Sequence, residues 1–299
     1  MSSTAAAPYG RLLTAMATAF HEDGSVDLEG TAAIAAHLVA TGNDGVVVSG
    51  TTGESPTTTV EEDGEILRAV KDAVGDRATV IAGVGTNATA HSAELARQAE
   101  KVGVDAVLLV TPYYNKPGPA GMTHHFTEVA RASDLPVMLY DVPGRTGQAI
   151  PLEVYEQMAR LDVVTSVKHA TGDPTAAVAL RQLGYAVYSG DDALVLGYLA
   201  HGAVGLVSVV GHAASAELAA LIDDFQRGEV ASALERYTRL APAFTAVMGV
   251  THYGATTAKA ALELLGVLDN RRVRGPLVPL DDAEVAALRA GLAAAGLLT

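Results

Sequence analysis

The chain has 299 residues, of which 49% are apolar and 18% charged, a balance that excludes intrinsic disorder because a disordered chain is poor in apolar residues and rich in charge. The 20 basic and 34 acidic residues leave a net charge of −14, so nucleic acid and anionic membrane surfaces are repelled and a small carboxylate substrate requires a local cationic or amide-lined pocket. Cysteine is absent, which removes disulfides, thiolate metal sites and cysteine nucleophiles and agrees with a reducing cytoplasm.

The N-terminal MSSTAAAPYG lacks the basic and long apolar regions of a signal peptide. The first strand is expected at Leu12–Thr18 and the second at Gly45–Ser49, which runs into Gly50-Thr51-Thr52-Gly53-Glu54-Ser55. Glycines flanking two threonines place backbone amides and hydroxyls at the strand's carboxyl end, a set suited to a carboxylate. No G-K-[ST] follows, so it is not a P-loop; the alternative is a plain tight turn. Thr59-Val60-Glu61-Glu62 is a capping box ahead of the apolar stripe Ile66, Leu67, Val70 and Val74, which predicts a helix. The third strand is expected at Thr79–Gly83, and the helix through Leu95, Ala99 and Val102 should stop at Gly103.

The fourth run, Ala106–Val110, leads into Thr111-Pro112-Tyr113-Tyr114-Asn115-Lys116-Pro117. The fifth, Pro136–Asp141, carries Tyr140 near its end and continues through a Pro/Gly turn to Arg145. A tyrosine can relay protons and an arginine can fork onto a carboxylate; the alternatives are a buried phenol and a turn arginine paired with a surface acid. The sixth run, Val163–Lys168, ends in one of only five lysines. A lysine at the carboxyl end of a barrel strand meets a partly desolvated mouth, where burial favours the neutral, nucleophilic amine able to form a Schiff base. The alternative is a lysine paired with a carboxylate. The seventh run is Ala186–Ser189, followed by Asp191-Asp192, read as caps of the next helix, with Asp191 supporting the lysine's surroundings. The eighth is Gly205–Val210. The most membrane-like stretch, Ala203 to Ile222, is broken by His212 and Glu217 and reads as a strand followed by a core helix.

Strands that are almost continuously apolar and each followed by a helix predict an α/β fold, a parallel (β/α)8 TIM barrel. A doubly wound open sheet is the alternative, but no G-x-G-x-x-G follows the first strand. Helices are expected at Ala214–Phe225, Val230–Met248, Thr256–Leu265 and Ala283–Leu297. The expected division is a catalytic barrel over 1–226 and a C-terminal helical appendage over 227–299. No histidines stand at i,i+4, so no metal site is expected. Lys259 reads as structural.

Together, GTTGES at 50–55, VTPYYNKP at 110–117, LYDVPGRTG at 139–147, VKHATGD at 167–173 and SGDDA at 189–193 resemble the dihydrodipicolinate synthase family across essentially the whole chain. The resemblance implies condensation of pyruvate with L-aspartate 4-semialdehyde in the diaminopimelate and lysine pathway, with no metal or organic cofactor. It implies Lys168 as the Schiff-base lysine, Tyr140 as the proton-relay phenol, and Thr51 linking Tyr140 to Tyr114, which reaches into a neighbouring subunit. Thr52 would hold the pyruvate carboxylate, Arg145 the semialdehyde carboxylate, and the Val207 carbonyl would line the site. A homotetramer, a dimer of dimers, is implied. N-acetylneuraminate lyase or keto-sugar-acid aldolase chemistry, and a silent pyruvate-binding barrel, are the alternatives. His169 replaces the acid that usually follows the lysine, and Asp141 the asparagine that often follows the tyrosine. Both should point away from the lumen, because strand side chains alternate. The family's lysine-inhibition positions map to Ser55, Pro56, Val60, Asp63, Asn87, His91 and Tyr113. Val60, Asp63 and His91 differ in character there, so weak or absent inhibition by L-lysine is expected.

Overall fold

The computed structural model describes residues 7–249 and 254–298. The apolar runs form strands and the amphipathic stretches between them form helices. In chain order these are β1 (Leu12–Ala15), α1 (Leu28–Ala40), β2 (Gly45–Val48), α2 (Val60–Val74), β3 (Thr79–Gly83), α3 (Thr89–Val102), β4 (Ala106–Val110) and α4 (Gly118–Ala130). There follow β5 (Val137–Asp141), the one-turn α5 (Pro143–Thr146), α6 (Leu152–Met158), β6 (Val164–His169), α7 (Ala176–Gln182), β7 (Ala186–Ser189), α8 (Val195–Ala200), β8 (Gly205–Ser208) and α9 (Gly211–Gln226). The last three helices are α10 (Val230–Met248), α11 (Gly254–Leu264) and α12 (Asp282–Ala294). The strands join in sequence order into a closed barrel, as the sequence pattern predicts. Every residue of β1, β2, β5, β7 and β8 is buried, which is why these runs do not alternate apolar with polar. Each fully buried valine, such as Val46 or Val187, contributes about 1.5–3 kcal/mol.

The chain forms two compact units. One comprises Val80–Val207 together with the stretch up to Pro8, and the other Tyr9–Thr79 together with Ser208–Thr299. In the first, β3 through β7 run as a parallel ladder and β7 pairs β8. In the second, β1 pairs β2, α9 packs on β1, and α10 packs on α9 and α12.

The local signals act as expected. Thr59 and Glu62 form the capping box of α2, and Gly103 closes α3 in the left-handed conformation at φ 83. Several element ends differ from the sequence expectation, and three of them have a clear local cause. β1 stops at Ala15 rather than Thr18, because the Ala17 amide donates to His212 Nε2 at 3.0 Å, a helix side chain, instead of continuing a ladder. β8 stops at Ser208 rather than Val210, where the Ser208 hydroxyl accepts the Gly211 amide at 2.7 Å and starts α9. α12 stops at Ala294 rather than Leu297, since Gly296 turns left-handed at φ 75. Among the described residues no helix is long and apolar enough to cross a membrane, and the stretch 203–222 is β8 followed by α9.

Candidate active site

Tyr140 and Lys168 are direct partners in the β5–β6 register, so alternation sends both side chains to the same face. Lys168 Nζ lies 4.3 Å from the centroid of the Tyr140 ring, and both residues are buried. Burial brings the lysine pKa from 10.5 down to about 7; the Arg145 charge acts in the same direction and Asp192 opposes it. The stem of Lys168 passes over Gly190 at the end of β7. A Cβ there would stand 2.9 Å from the Ala170 Cβ and 3.1 Å and 3.2 Å from Lys168 Cγ and Cε, so it would clash with Ala170 and crowd the lysine stem. The result is a desolvated amine, neutral in much of its population near pH 7, against a phenol-bearing ring.

The next residue along each strand faces the helices. Asp141 Oδ2 accepts the Tyr155 hydroxyl of α6 at 3.0 Å and the Ile150 amide at 3.1 Å. Burial lifts its pKa to about 6. His169 Nδ1 lies 2.7 Å from the Tyr198 hydroxyl of α8, and burial lowers the histidine to about 4, so the ring is neutral at pH 7. Both substitutions relative to the family pattern therefore lie behind the strands. The Asp141–Ile150 bond closes the base of the loop that carries Arg145, which is exposed on α5.

The loop after β4 is held in an unusual backbone shape. Tyr114 has φ 73 and is 90% exposed, and Lys116 has φ 44; side-chain-bearing residues seldom adopt these angles, which collect at functional loops. The Asn115 amide donates to the Asn87 carbonyl at 2.8 Å, and the Gln148 amide donates to the Pro112 carbonyl at 3.3 Å, tying this loop to the turns after β3 and β5. Val207 is buried in β8.

As expected, Asp191 caps the turn after β7, accepting the Ala193 amide at 3.0 Å, but the support of the lysine assigned to it from the sequence falls elsewhere. Asp192 is the buried acid whose charge acts on Lys168. Gly190 and Asp192 were thus missed as determinants of the lysine's environment, although both stand in SGDDA. Thr51 and Thr52 lie in the other compact unit, on the turn after β2. There the Thr51 carbonyl accepts the Glu54 amide at 3.1 Å, and Thr52 is buried. Among the described residues no three His, Asp or Glu side chains converge as metal ligands.

The sequence profile of the Dihydrodipicolinate synthetase family matches residues 8–295. The chain belongs to that family. It is 53% identical over 293 residues to the 4-hydroxy-tetrahydrodipicolinate synthase of Kineococcus radiotolerans, covering 97% of this chain and 94% of the relative. It is 51% identical over 296 residues to 4-hydroxy-tetrahydrodipicolinate synthase 2 of Streptomyces coelicolor, covering 99% and 98%. The crystal structure of a dihydrodipicolinate synthase from Cyanidioschyzon merolae with lysine bound superposes with a TM-score of 0.92 at 38% identity, covering 97% of this chain and 99% of that one. The family match spans residues of both compact units, so the turn bearing Thr51 and Thr52 and the strands bearing Tyr140 and Lys168 are parts of one family fold.

Proposed function

We propose that the protein is a 4-hydroxy-tetrahydrodipicolinate synthase, a lyase that condenses pyruvate with L-aspartate 4-semialdehyde. The observation that carries this reading is the buried Lys168 amine, with a pKa of about 7, set against Tyr140 in a chain of this family. Neutral Lys168 Nζ attacks the pyruvate ketone to give a carbinolamine, which loses water to form the iminium. The Tyr140 phenol moves protons to and from the carbinolamine oxygen. Loss of a methyl proton gives the enamine, whose carbon attacks the semialdehyde aldehyde. The substrate's own amino group then displaces Lys168 and closes the heterocycle. Thr52 is proposed to donate to the pyruvate carboxylate, Arg145 to pair with the semialdehyde carboxylate, Thr51 to connect Tyr140 with Tyr114, and the Val207 carbonyl to line the site. The cationic Arg145 offsets the unfavourable net charge for anionic substrates. This chemistry needs no metal and no organic cofactor.

The discriminating experiment is a pyruvate-dependent assay offering L-aspartate 4-semialdehyde or N-acetylmannosamine. Turnover is expected with the first alone, and preference for the second would transfer the chain to sugar-acid chemistry. In the same assay L-lysine in the millimolar range is expected to inhibit weakly or not at all: the Asp63 carboxylate already accepts the Thr58 hydroxyl at 2.8 Å, and His91 stands exposed with Glu94 at 3.8 Å.

A cytoplasmic homotetramer is the proposed form, with Tyr114 completing a neighbouring subunit's relay. Its 90% exposure on a strained loop supports that role, since such an aromatic gains most from cover. Tyr114→Phe should cut turnover while pyruvate still binds, and sedimentation of the active enzyme should give at least a dimer. A fully active monomer in the ultracentrifuge would contradict it.

A further inference from the structure

Lys259, on α11, is a second buried lysine and takes no part in the chemistry above. Its Nζ lies 2.5 Å from Glu54 Oε1, with both side chains 1% exposed. It donates to the Arg272 carbonyl at 2.6 Å and sits 4.1 Å from the centroid of the Phe20 ring. Glu54 Oε2 accepts the Arg274 amide at 2.8 Å. The Arg274 guanidinium lies 4.5 Å from the same Phe20 ring, donates to the carbonyls of Gly24 and Thr57, and grips both oxygens of Glu62, the capping-box acid of α2, at 2.6 and 2.7 Å. Burial lowers the Lys259 amine to about 8, against the pull of Glu54.

The contacts of Lys259 and of the Arg274 amide with Glu54 meet on one turn. Glu54 has φ 60 and ψ 30, a left-handed conformation unfavourable for a residue with a side chain. It persists where the surroundings over-determine it. Its amide donates to the Thr51 carbonyl at 3.1 Å, and the Ser55 amide donates to the Gly50 carbonyl at 3.3 Å, so the Glu54 backbone sets the shape of the Thr51–Thr52 segment. A charged pair taken wholly out of water is a poor way to gain stability, because desolvation offsets the attraction. Its geometric effect is large: one fixed carboxylate rotamer and one fixed backbone.

We propose that Lys259 is a positioning residue for the pyruvate site, acting through Glu54 to hold the Thr51–Thr52 turn in the shape that presents its donors to the substrate carboxylate. This rests on the function proposed above. Its ammonium is engaged by Glu54 and the Arg272 carbonyl, so Lys259 itself forms no Schiff base.

The test compares Lys259→Met, Glu54→Gln and the double variant, which removes both buried charges together, with Arg271→Ala. Arg271, beyond the end of α11, pairs with Glu263 of α11 at 2.7 Å, in a part-exposed pair that does not touch the turn. In the first three, the pyruvate KM should rise tenfold or more and kcat should fall as well, since Thr51 of the same turn belongs to the relay, while the KM for the second substrate stays within about threefold. Arg271→Ala should leave the pyruvate KM within twofold even if its thermal midpoint falls. An unchanged pyruvate KM in Glu54→Gln and in the double variant, or an equal rise in Arg271→Ala, would overturn the positioning role. Failure of the wild-type protein to form a borohydride-trapped adduct with pyruvate would instead overturn the function on which the role rests.

Discussion

Lys168→Arg is expected to abolish borohydride-trapped pyruvate adduct and to lower turnover by at least ~10⁴-fold, the order expected when a covalent nucleophile is removed. The substitution replaces an amine beside the Tyr140 ring that burial brings to about pKa 7 with a guanidinium that does not deprotonate in proteins. Side-chain length stays similar, so loss of activity with a retained cooperative thermal transition isolates the chemistry from the fold. Residual turnover above about one-hundredth of wild type would mean that the amine is not the nucleophile, since general electrostatic binding alone does not supply that rate.

Tyr140→Phe should slow Schiff-base formation roughly 10²–10⁴-fold, the range typical of a lost general acid–base group. The ring against which Lys168 packs is retained, so the lysine's burial is preserved and the effect reports the hydroxyl alone. The measurement is the rate of adduct accumulation under single-turnover conditions with borohydride quenching. Trapping should still reach completion, only later. A fall of less than about threefold would remove the phenol from the relay.

The barrel was legible because its strands are buried on both faces, which writes them into the sequence as short unbroken apolar runs. The capping box at Thr59 and the glycine stop at Gly103 were legible because each acts within four residues of itself. Element ends were lost where a distant side chain ends the ladder: Ala17 leaves β1 for His212, 195 residues away. At the site, strand alternation was enough to pair Tyr140 with Lys168 and to turn Asp141 and His169 toward the helices. Alternation says nothing about a short turn, so the choice between Asp191 and Asp192 went to the wrong carboxylate. The Lys259–Glu54–Arg274 cluster had no sequence signal at all, because Arg274 meets Glu54 across 220 residues.

The central claim is a neutral, buried Lys168 amine acting as the nucleophile toward pyruvate, and it is tested most directly by trapping the wild-type enzyme with pyruvate and borohydride across pH, followed by peptide mass mapping. Because burial moves the Lys168 pKa down to about 7, the reactive amine is scarce below that pH and dominant above it. The initial trapping rate should therefore climb about tenfold per unit up to roughly pH 7 and then level off. One reduced pyruvyl group per chain should map to the peptide containing Lys168. An adduct on Lys116 or Lys259, or a trapping rate still rising steeply between pH 9 and 10 as for an ordinary lysine, would contradict the account.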